Sequence, residues 1–406
     1  MIPRFKPDLG KHELIAALKP GSRAVEYFEN EFARAFEAKH ALAFPYGRSA
    51  LWGLFNALEI RDAEIIVPAY TCSVVAHAVV LSGNKPRFVD VSLHDYNMNL
   101  DLLADAITER TRAIVPTHLF GCPLDVERLR DIVQTAENRY GNKILIIQDC
   151  AHAFGARWKG RLVCNEGDAA IFGLNISKLI TSIFGGVITT DSRELAEKVR
   201  QWRGVHFRRP PAHKAWRRRL YLCAVYAVFH DRPYGLIQWM ERKTPLLDSL
   251  TKAYHLDGKI HFPPGHDEEM TTVEAGVGRV QLGKYAEIIK RRRENAEYYF
   301  QALAGVKGLV LPPSVEGSTY SHFTIRGPDK ATILKFFRRK GIELGELIQY
   351  SLPHMSPYRK DVPDPTQFPN SLYCSTSVVN LPIYRRLSPT RLAELVRIAR
   401  RQEGHG

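Results

Sequence analysis

Two rhythms of apolar and polar positions take turns along this chain. Nearly continuous apolar runs, EIIVPAY, KPRFVDV, RAIVPTHLFG, ILIIQD, AAIFGL and VITT, read as buried strands. Between them lie stretches of helical period. AVEYFENEFARAF carries Val25, Phe28, Phe32 and Phe36 on one face. AFPYGRSALWGLFNAL predicts a helix that turns Leu51, Leu54, Phe55 and Leu58 inward, with Ser49 as its cap. TCSVVAHAVVLSG is a helix closed by glycine, Leu100–Thr108 a short helix, and VERLRDIVQTAENRY a helix ended by Gly141. Asp191 and Ser192 open another, with Leu195, Val199 and Trp202 on one face. Strands separated by helix-length segments predict βαβ units and a largely parallel sheet.

After Arg203 the rhythm changes. The segment from Gly204 is basic, then apolar on all sides over Leu220–Phe229, then broken by Pro233. That apolar run is too short to cross a bilayer. It reads either as a helix packed on its own domain or a partner subunit, or as a basic, aromatic-rich surface helix that touches lipid. From about Met270 the chain predicts a long helical stretch, TVEAGVGRVQLGKYAEIIKRRRENAEYYFQAL, then short strands, a helix at KATILKFFRRKG and a Pro-rich loop at 353–369. A last helix is capped by Ser388, with Pro389 at its first position. The length of 406 residues suits a large α/β domain, 1–265 with an insert at 205–265, plus a smaller C-terminal α/β domain, 266–406.

Composition adds little to this picture; charge adds more. The formal net charge is +14, with cations thickened at Arg203–Arg219 and Lys290–Arg293. Such a balance fits a solvated basic surface, or attraction for nucleotide-linked substrates, phosphates or an acidic membrane face. Nothing in it asks for nucleic acid. The six cysteines (72, 122, 150, 164, 223, 374) show no metal spacing, and no metal is expected. The first residues lack the basic-then-apolar pattern of a signal peptide, so a reducing cytoplasm is the expectation.

The candidate chemistry lies in one stretch, Ile144 to Thr190. One apolar strand there ends in an acid, Asp149; a second is followed by Lys178, a Gly-Gly turn and a third strand. A carboxylate at a strand end and a lone lysine past the next strand suit pyridoxal phosphate, whose aldehyde condenses with an amine while an acid keeps its ring nitrogen protonated. Gly47, Arg48 and Ser49, entering a helix, offer N–H groups, a cation and a hydroxyl to a phosphate, although an ordinary capped helix looks the same. These residues, with the Tyr70–Ser73 loop and His118, all follow an apolar run or precede a helix and can meet on one rim.

The phrases VPAYT, SGNKPRFVDV, RAIVPTHLFG, QDCAHAFGA, GD-AAIF…K…GG-ITT, RVQLGKYAEIIKRR and VVNLPIY, in this order and spacing, resemble the DegT/DnrJ/EryC1/StrS family. The likeness spans most of residues 40–400 apart from roughly 205–265. It implies a fold-type-I pyridoxal-phosphate transferase: a large domain with a mostly parallel central sheet flanked by helices, and a smaller C-terminal α/β domain. It implies a homodimeric aminotransferase with a shared active site, moving an amino group from an amino acid, expected to be L-glutamate, to a keto-sugar for a surface polysaccharide or natural product. Lys178 would hold the cofactor and move the proton, Asp149 would pair with the pyridinium nitrogen, and His152 would approach the ring hydroxyl. Gly47–Ser49 match the phosphate-side loop, and Tyr70 and Thr71 the loop covering one ring face.

Three departures stand out. Gly173 occupies the position of the family's phosphate serine, leaving Asn175, Ser177 and Arg48 as candidate substitutes. Cys72 replaces a stacking aromatic. His266-Asp267-Glu268-Glu269-Met270 replaces an Asn-x-Arg-Met that reaches across the dimer. With the longer, apolar insert, these leave open a lipid-linked sugar, peripheral membrane contact through 205–240, a sugar dehydratase (which tends to carry histidine in place of the lysine), or a non-catalytic scaffold.

Overall fold

The computed structural model describes residues 2–229, 259–327, 329–362 and 364–401. At its centre is a sheet of seven strands: β1 (His40–Phe44), β2 (Glu64–Pro68), β3 (Lys85–Val89), β4 (Thr111–Ile114), β5 (Leu145–Asp149), β6 (Ala169–Gly173) and β7 (Gly186–Thr190), in the order β1-β7-β6-β5-β4-β2-β3. β2, β3, β4, β5 and β6 run parallel, while β7 is antiparallel to both β1 and β6. The predicted α/β class is the observed one, and the apolar runs are strands because both faces are covered. Ile65 and Val67 turn to one side with Leu54, Phe55, Val75 and Val79. Ile66, between them, turns to the other with Leu103, Leu129 and Val133.

The covering helices are α1 (Lys11–Leu18), α2 (Ala24–Ala35), α3 (Gly47–Ala57), α4 (Ser73–Leu81), α5 (Leu100–Ala106), α6 (Val126–Tyr140), α7 (Arg193–His206) and α8 (Ala212–Val228). Their ends follow the expected signals. Gly141 closes α6 in the left-handed region at φ 67°, and the Ser192 hydroxyl accepts from the Leu195 N–H at 3.2 Å. Phe28, Phe32 and Phe36 on α2 and at its end are fully buried against Phe154 and Phe172, each ring contributing about 1.5–3 kcal/mol of transfer free energy.

One expected element differs. Ser49 is not the cap of α3; the helix begins two residues earlier, at Gly47, with Tyr46 in extended backbone before it. The hydroxyl of Ser49 donates instead to the carbonyl of His266 at 2.8 Å. The long helical stretch after Met270 is two helices, α9 (Thr272–Leu282) and α10 (Tyr285–Leu303), parted at Gly283, a poor helix residue. α9 belongs to the large core: Met270, Ala275, Leu282 and Ile288 pack with Phe28 and Phe32. Gly278 permits that approach, since a Cβ there would lie 2.6 Å from the Phe28 ring. A second core forms where α10 meets a two-stranded antiparallel sheet, β8 (Phe323–Arg326) with β9 (Val378–Leu381), and the helices Lys330–Arg339 and Pro389–Arg400. Ser388 accepts from Arg391 N–H at 3.3 Å, capping the last helix as predicted.

Among the described residues, no helix is long and apolar enough to cross a membrane. The six cysteines are free thiols.

Candidate active site

β5 ends at Asp149 beside β6, with Asp149 in register with Ile171 two residues before the end of β6 at Gly173. These carboxyl ends form one rim, the usual ligand edge of an open α/β sheet. Asp149 is buried. One of its oxygens accepts from Ala151 N–H at 3.0 Å and the other from the Thr117 hydroxyl at 3.2 Å. Thr117 in turn lies 2.9 Å from the hydroxyl of Thr71. Burial raises the Asp149 carboxyl above its ordinary range, and the nearby Lys178 opposes that rise only in part. An acid so placed accommodates a further cationic donor.

Lys178 is half-buried just past β6. Burial lowers its pKa, while Cys72 and Asp149 act the other way, so the three side chains share one electrostatic neighbourhood. The turn beneath the lysine is held by Asn175, whose side-chain oxygen accepts from Ser177 N–H at 3.0 Å and from the Ser177 hydroxyl at 2.7 Å. A Cβ on Gly173 would lie 3.6 Å from Lys178 Cε and 3.6 Å from Ala151 Cβ. A Cβ on Gly47 would lie 3.4 Å from Gly173 Cα. The start of α3, whose first-turn N–H groups have no partner within the helix, is therefore set directly against the strand end that precedes the lysine. The Gly-Gly turn makes this possible: a Cβ on Gly186 would come within 2.5 Å of the Tyr46 carbonyl carbon.

His152 is buried, its ring stacked on Phe120 at 6.2 Å and 18° and lying 5.3 Å from the ring of His322. Burial first, then the charge of Lys178, hold His152 well below its ordinary pKa, so it is neutral. Tyr70 is buried, its hydroxyl donating to the Ile348 carbonyl at 3.3 Å. Cys72 stands just before α4, and the next residue, Ser73, donates its N–H to the Tyr350 hydroxyl at 2.8 Å. His118 takes another part: fully buried, it bonds Gln148 at 2.9 Å and accepts from Leu124 N–H at 3.0 Å, bracing β5 from behind.

The profile of the DegT/DnrJ/EryC1/StrS aminotransferase family matches residues 17–400. The chain belongs to that family. It is therefore an aminotransferase-family enzyme, and it is similar across its length to several members of known structure. The uncharacterised protein MJ1066 of Methanocaldococcus jannaschii is 28% identical over 97% of this chain and 96% of its own. Two solved structures share the fold. S. venezuelae DesV matches at 24% identity with a TM-score of 0.76, over 98% of this chain and 94% of that one. Helicobacter pylori PseC, an aminotransferase of pseudoaminic acid biosynthesis, matches at 19% with a TM-score of 0.76, over 99% and 98%.

The geometry suits the family's cofactor. Pyridoxal phosphate needs an amine, an anionic partner for a ring nitrogen, and a cradle for a phosphate. Lys178, the under-donated carboxylate of Asp149, and the paired glycines 47 and 173 at the start of α3 answer to these in turn.

In this DegT-family chain two acids of the loop 266–270 are paired by cations of its own insert. Asp267 pairs with Arg208 at 3.0 Å and Glu268 with the buried Lys214 at 2.9 Å; Glu269 is exposed. Arg218 of the same insert donates to Glu274 at 2.7 Å and to the Tyr46 hydroxyl at 3.2 Å, and lies 4.0 Å above the Phe184 ring. Arg48 donates to the carbonyl of His261. The insert thus clamps the loop onto α3 of the same chain.

Three contributors carry no role in the sequence pattern: Thr117, Phe120 and His322. Thr117 and Phe120 lie within the quoted phrase RAIVPTHLFG, where a polar residue at a strand end was the available signal. Phe120 adopts φ 58°, which presents its ring to His152. His322 comes from the far part of the chain and carries no local signal.

Proposed function

We propose that this enzyme moves an amino group from an amino acid, L-glutamate being the favoured donor, to a keto-sugar carried on a nucleotide or lipid, using pyridoxal phosphate bound at Lys178. The observation that carries the reading is the shared neighbourhood of a burial-depressed amine and a buried carboxylate at one strand edge. Bound there, the cofactor would supply an electron sink that eases proton removal from the donor carbon. The chain's own residues would do the rest. Lys178, its amine biased to the neutral form, would hold the aldehyde and carry the proton between carbons. Asp149, oriented by Thr117 and Ala151, would keep the ring nitrogen protonated. His152, neutral, would stand beside the ring hydroxyl. The first turn of α3 with Gly47, Arg48 and Ser49 would receive the phosphate, with Asn175 and Ser177 on the lysine turn, and Tyr70 and Cys72 would bound the ring from the α4 side. The reading includes a cytoplasmic homodimer with a shared site.

Purified protein supplied with cofactor is expected to be yellow, and borohydride to fix the label on Lys178. L-Glutamate should bleach the colour. A Lys178→Ala variant should stay folded and colourless. A wild-type protein that remains colourless at saturating cofactor would sink the enzyme reading and favour a scaffold.

A second feature supports peripheral membrane contact. On α8 the outer face carries Trp216, 63% exposed, and Leu220, 65% exposed, beside exposed His213 and Arg217. Residues 230–240 of the proposed contact lie outside the described residues. Aromatic and aliphatic side chains among cations suit an anionic leaflet. Flotation with phosphatidylserine vesicles at low salt should carry the protein upward, and a Trp216→Ala, Leu220→Ala double variant should stay below; equal flotation of both would refute this face.

A further inference from the structure

The cleft that Lys178 lines is also lined by Arg292, His322, Asp8 and Arg385. The charges here do not balance. Elsewhere in the chain buried cations face carboxylates: Lys214 faces Glu268, Arg218 faces Glu274, Lys284 faces Glu13, and Arg203 faces Glu29. Within the cleft, Asp8 is already committed to Arg385 at 2.6 and 2.8 Å and to Arg386 at 2.8 Å. Arg292 has no carboxylate within ion-pair distance among the described residues. Its Nη1 donates to the carbonyls of Tyr320 and Ser321, at 3.3 and 2.7 Å, and its buried Nε has no partner.

The uncompensated charge is felt locally. His322, following Ser321, is driven down to about 3 by burial first and then by Arg292 and Lys178, so both cations bear on one imidazole. Arg292 itself, lowered to about 10 by burial with the charge of Asp8 opposing, keeps its proton at neutral pH. A part-buried guanidinium with no carboxylate at ion-pair distance is costly to keep, and a cleft that holds one suits an anion that arrives.

We propose that Arg292, which lines the same cleft as Lys178 and His322, is the subsite for a carboxylate of the amino-acid donor. This rests on the aminotransferase reading and adds to it the element that selects an amino acid over a plain amine. A guanidinium held at one end by two backbone carbonyls is pre-oriented, and its remaining N–H groups suit a carboxylate. His322, uncharged, shares the cleft without adding repulsion for either cation. Arg292 is accordingly a substrate-binding residue that takes no part in proton transfer.

The test compares wild type with Arg292→Gln and Arg292→Lys, each loaded with cofactor. L-Glutamate and benzylamine, an amine without a carboxylate, are titrated against the yellow band. Losing one charge-assisted contact should raise the glutamate concentration for half-bleaching about 30-fold or more in Arg292→Gln, with Arg292→Lys intermediate and benzylamine unaffected. Retention of the yellow band and of the unfolding midpoint shows that the carbonyls of residues 320 and 321 have not lost their support. Equal glutamate response in all three proteins, or an equal loss with benzylamine, overturns the proposal. Calorimetry with glutarate, which has no amine, gives a second arm on the protein without cofactor: wild type should bind and Arg292→Gln should not. If wild type never takes up the cofactor, the aminotransferase reading fails, and the glutarate arm still decides on the carboxylate subsite.

Discussion

Burial works in opposite directions on the two groups around which the proposed chemistry turns, and both effects favour it. Lys178 is pushed toward the neutral amine, the form that attacks an aldehyde. Asp149 is pushed toward the neutral acid, which would be unhelpful alone, but a cationic ring nitrogen would return it to the carboxylate. Because the free carboxyl is raised, acidification should protonate it above the range of an exposed aspartate. Cofactor affinity, followed by the visible band, should therefore weaken on the acid side earlier than an ordinary carboxylate would give. Asp149→Asn should weaken binding at neutral pH and flatten that acid limb; an unchanged limb would mean another group sets it. Gly173 offers a test with the opposite sign. A Cβ there meets only ordinary contacts at 3.6 Å, so Gly173→Ser has room and adds a hydroxyl next to the α3 N-terminus. If phosphate lies in that cradle, the substitution should tighten the cofactor about 5-fold. Looser binding would place the phosphate elsewhere.

At the scale of elements, α8 and the loop before α9 form one device held by buried charge. Lys214 and Glu268 have side chains 9% and 16% exposed and lie 2.9 Å apart. Removing one partner leaves the other stranded, so Lys214→Met should cost about 3–5 kcal/mol. The Lys214→Met, Glu268→Met double variant should recover much of that loss, and a double-mutant cycle on denaturant midpoints measures the coupling. Additive losses would mean the pair is decorative. This device also shows what a sequence can conceal. Strands such as ILIIQD and caps such as Ser192 and Ser388 were legible because their signals are local: period, capping residue, closing glycine. So was the placement of Asp149, Lys178 and the Gly47 turn at or just past strand ends, each marked by the end of an apolar run. The partition of Arg208, Lys214 and Arg218 among Asp267, Glu268 and Glu274 was not, since each cation reads alone as a solvated side chain and each acid alone as an oddity. The break at Gly283 was hidden by continuous helical periodicity on both sides of it. Ser49 reads as a cap by type, yet its hydroxyl goes to a carbonyl from a loop more than two hundred residues on. Arg292 and His322 reach the cleft only through the placement of the second core against the first.

For the whole molecule, desolvated histidines make stability depend on acid. His118 behind β5 is lowered to about 4 and His322 in the cleft to about 3, burial being the leading cause in both. In the unfolded chain each titrates near 6.5. Between that value and about 4 the unfolded state therefore binds protons that the folded state refuses, and the stabilisation present above 6.5 is lost as pH falls. Each such group removes about 1.4 kcal/mol per pH unit across that window. His152, lowered in the same direction, adds to the slope, while Asp149, raised, subtracts from it. The expected result is a denaturant midpoint that declines steadily from pH 7 to pH 5. His118→Gln isolates one contribution, because an amide can keep a bond to Gln148 but cannot titrate. The variant should start less stable at pH 7 and lose stability with acid more slowly, by about one proton's slope. Measured at saturating cofactor in both proteins, the difference between the two curves removes the pH dependence of binding. Parallel curves would show that His118 takes up its proton in the fold as readily as in the unfolded chain, which would overturn this account.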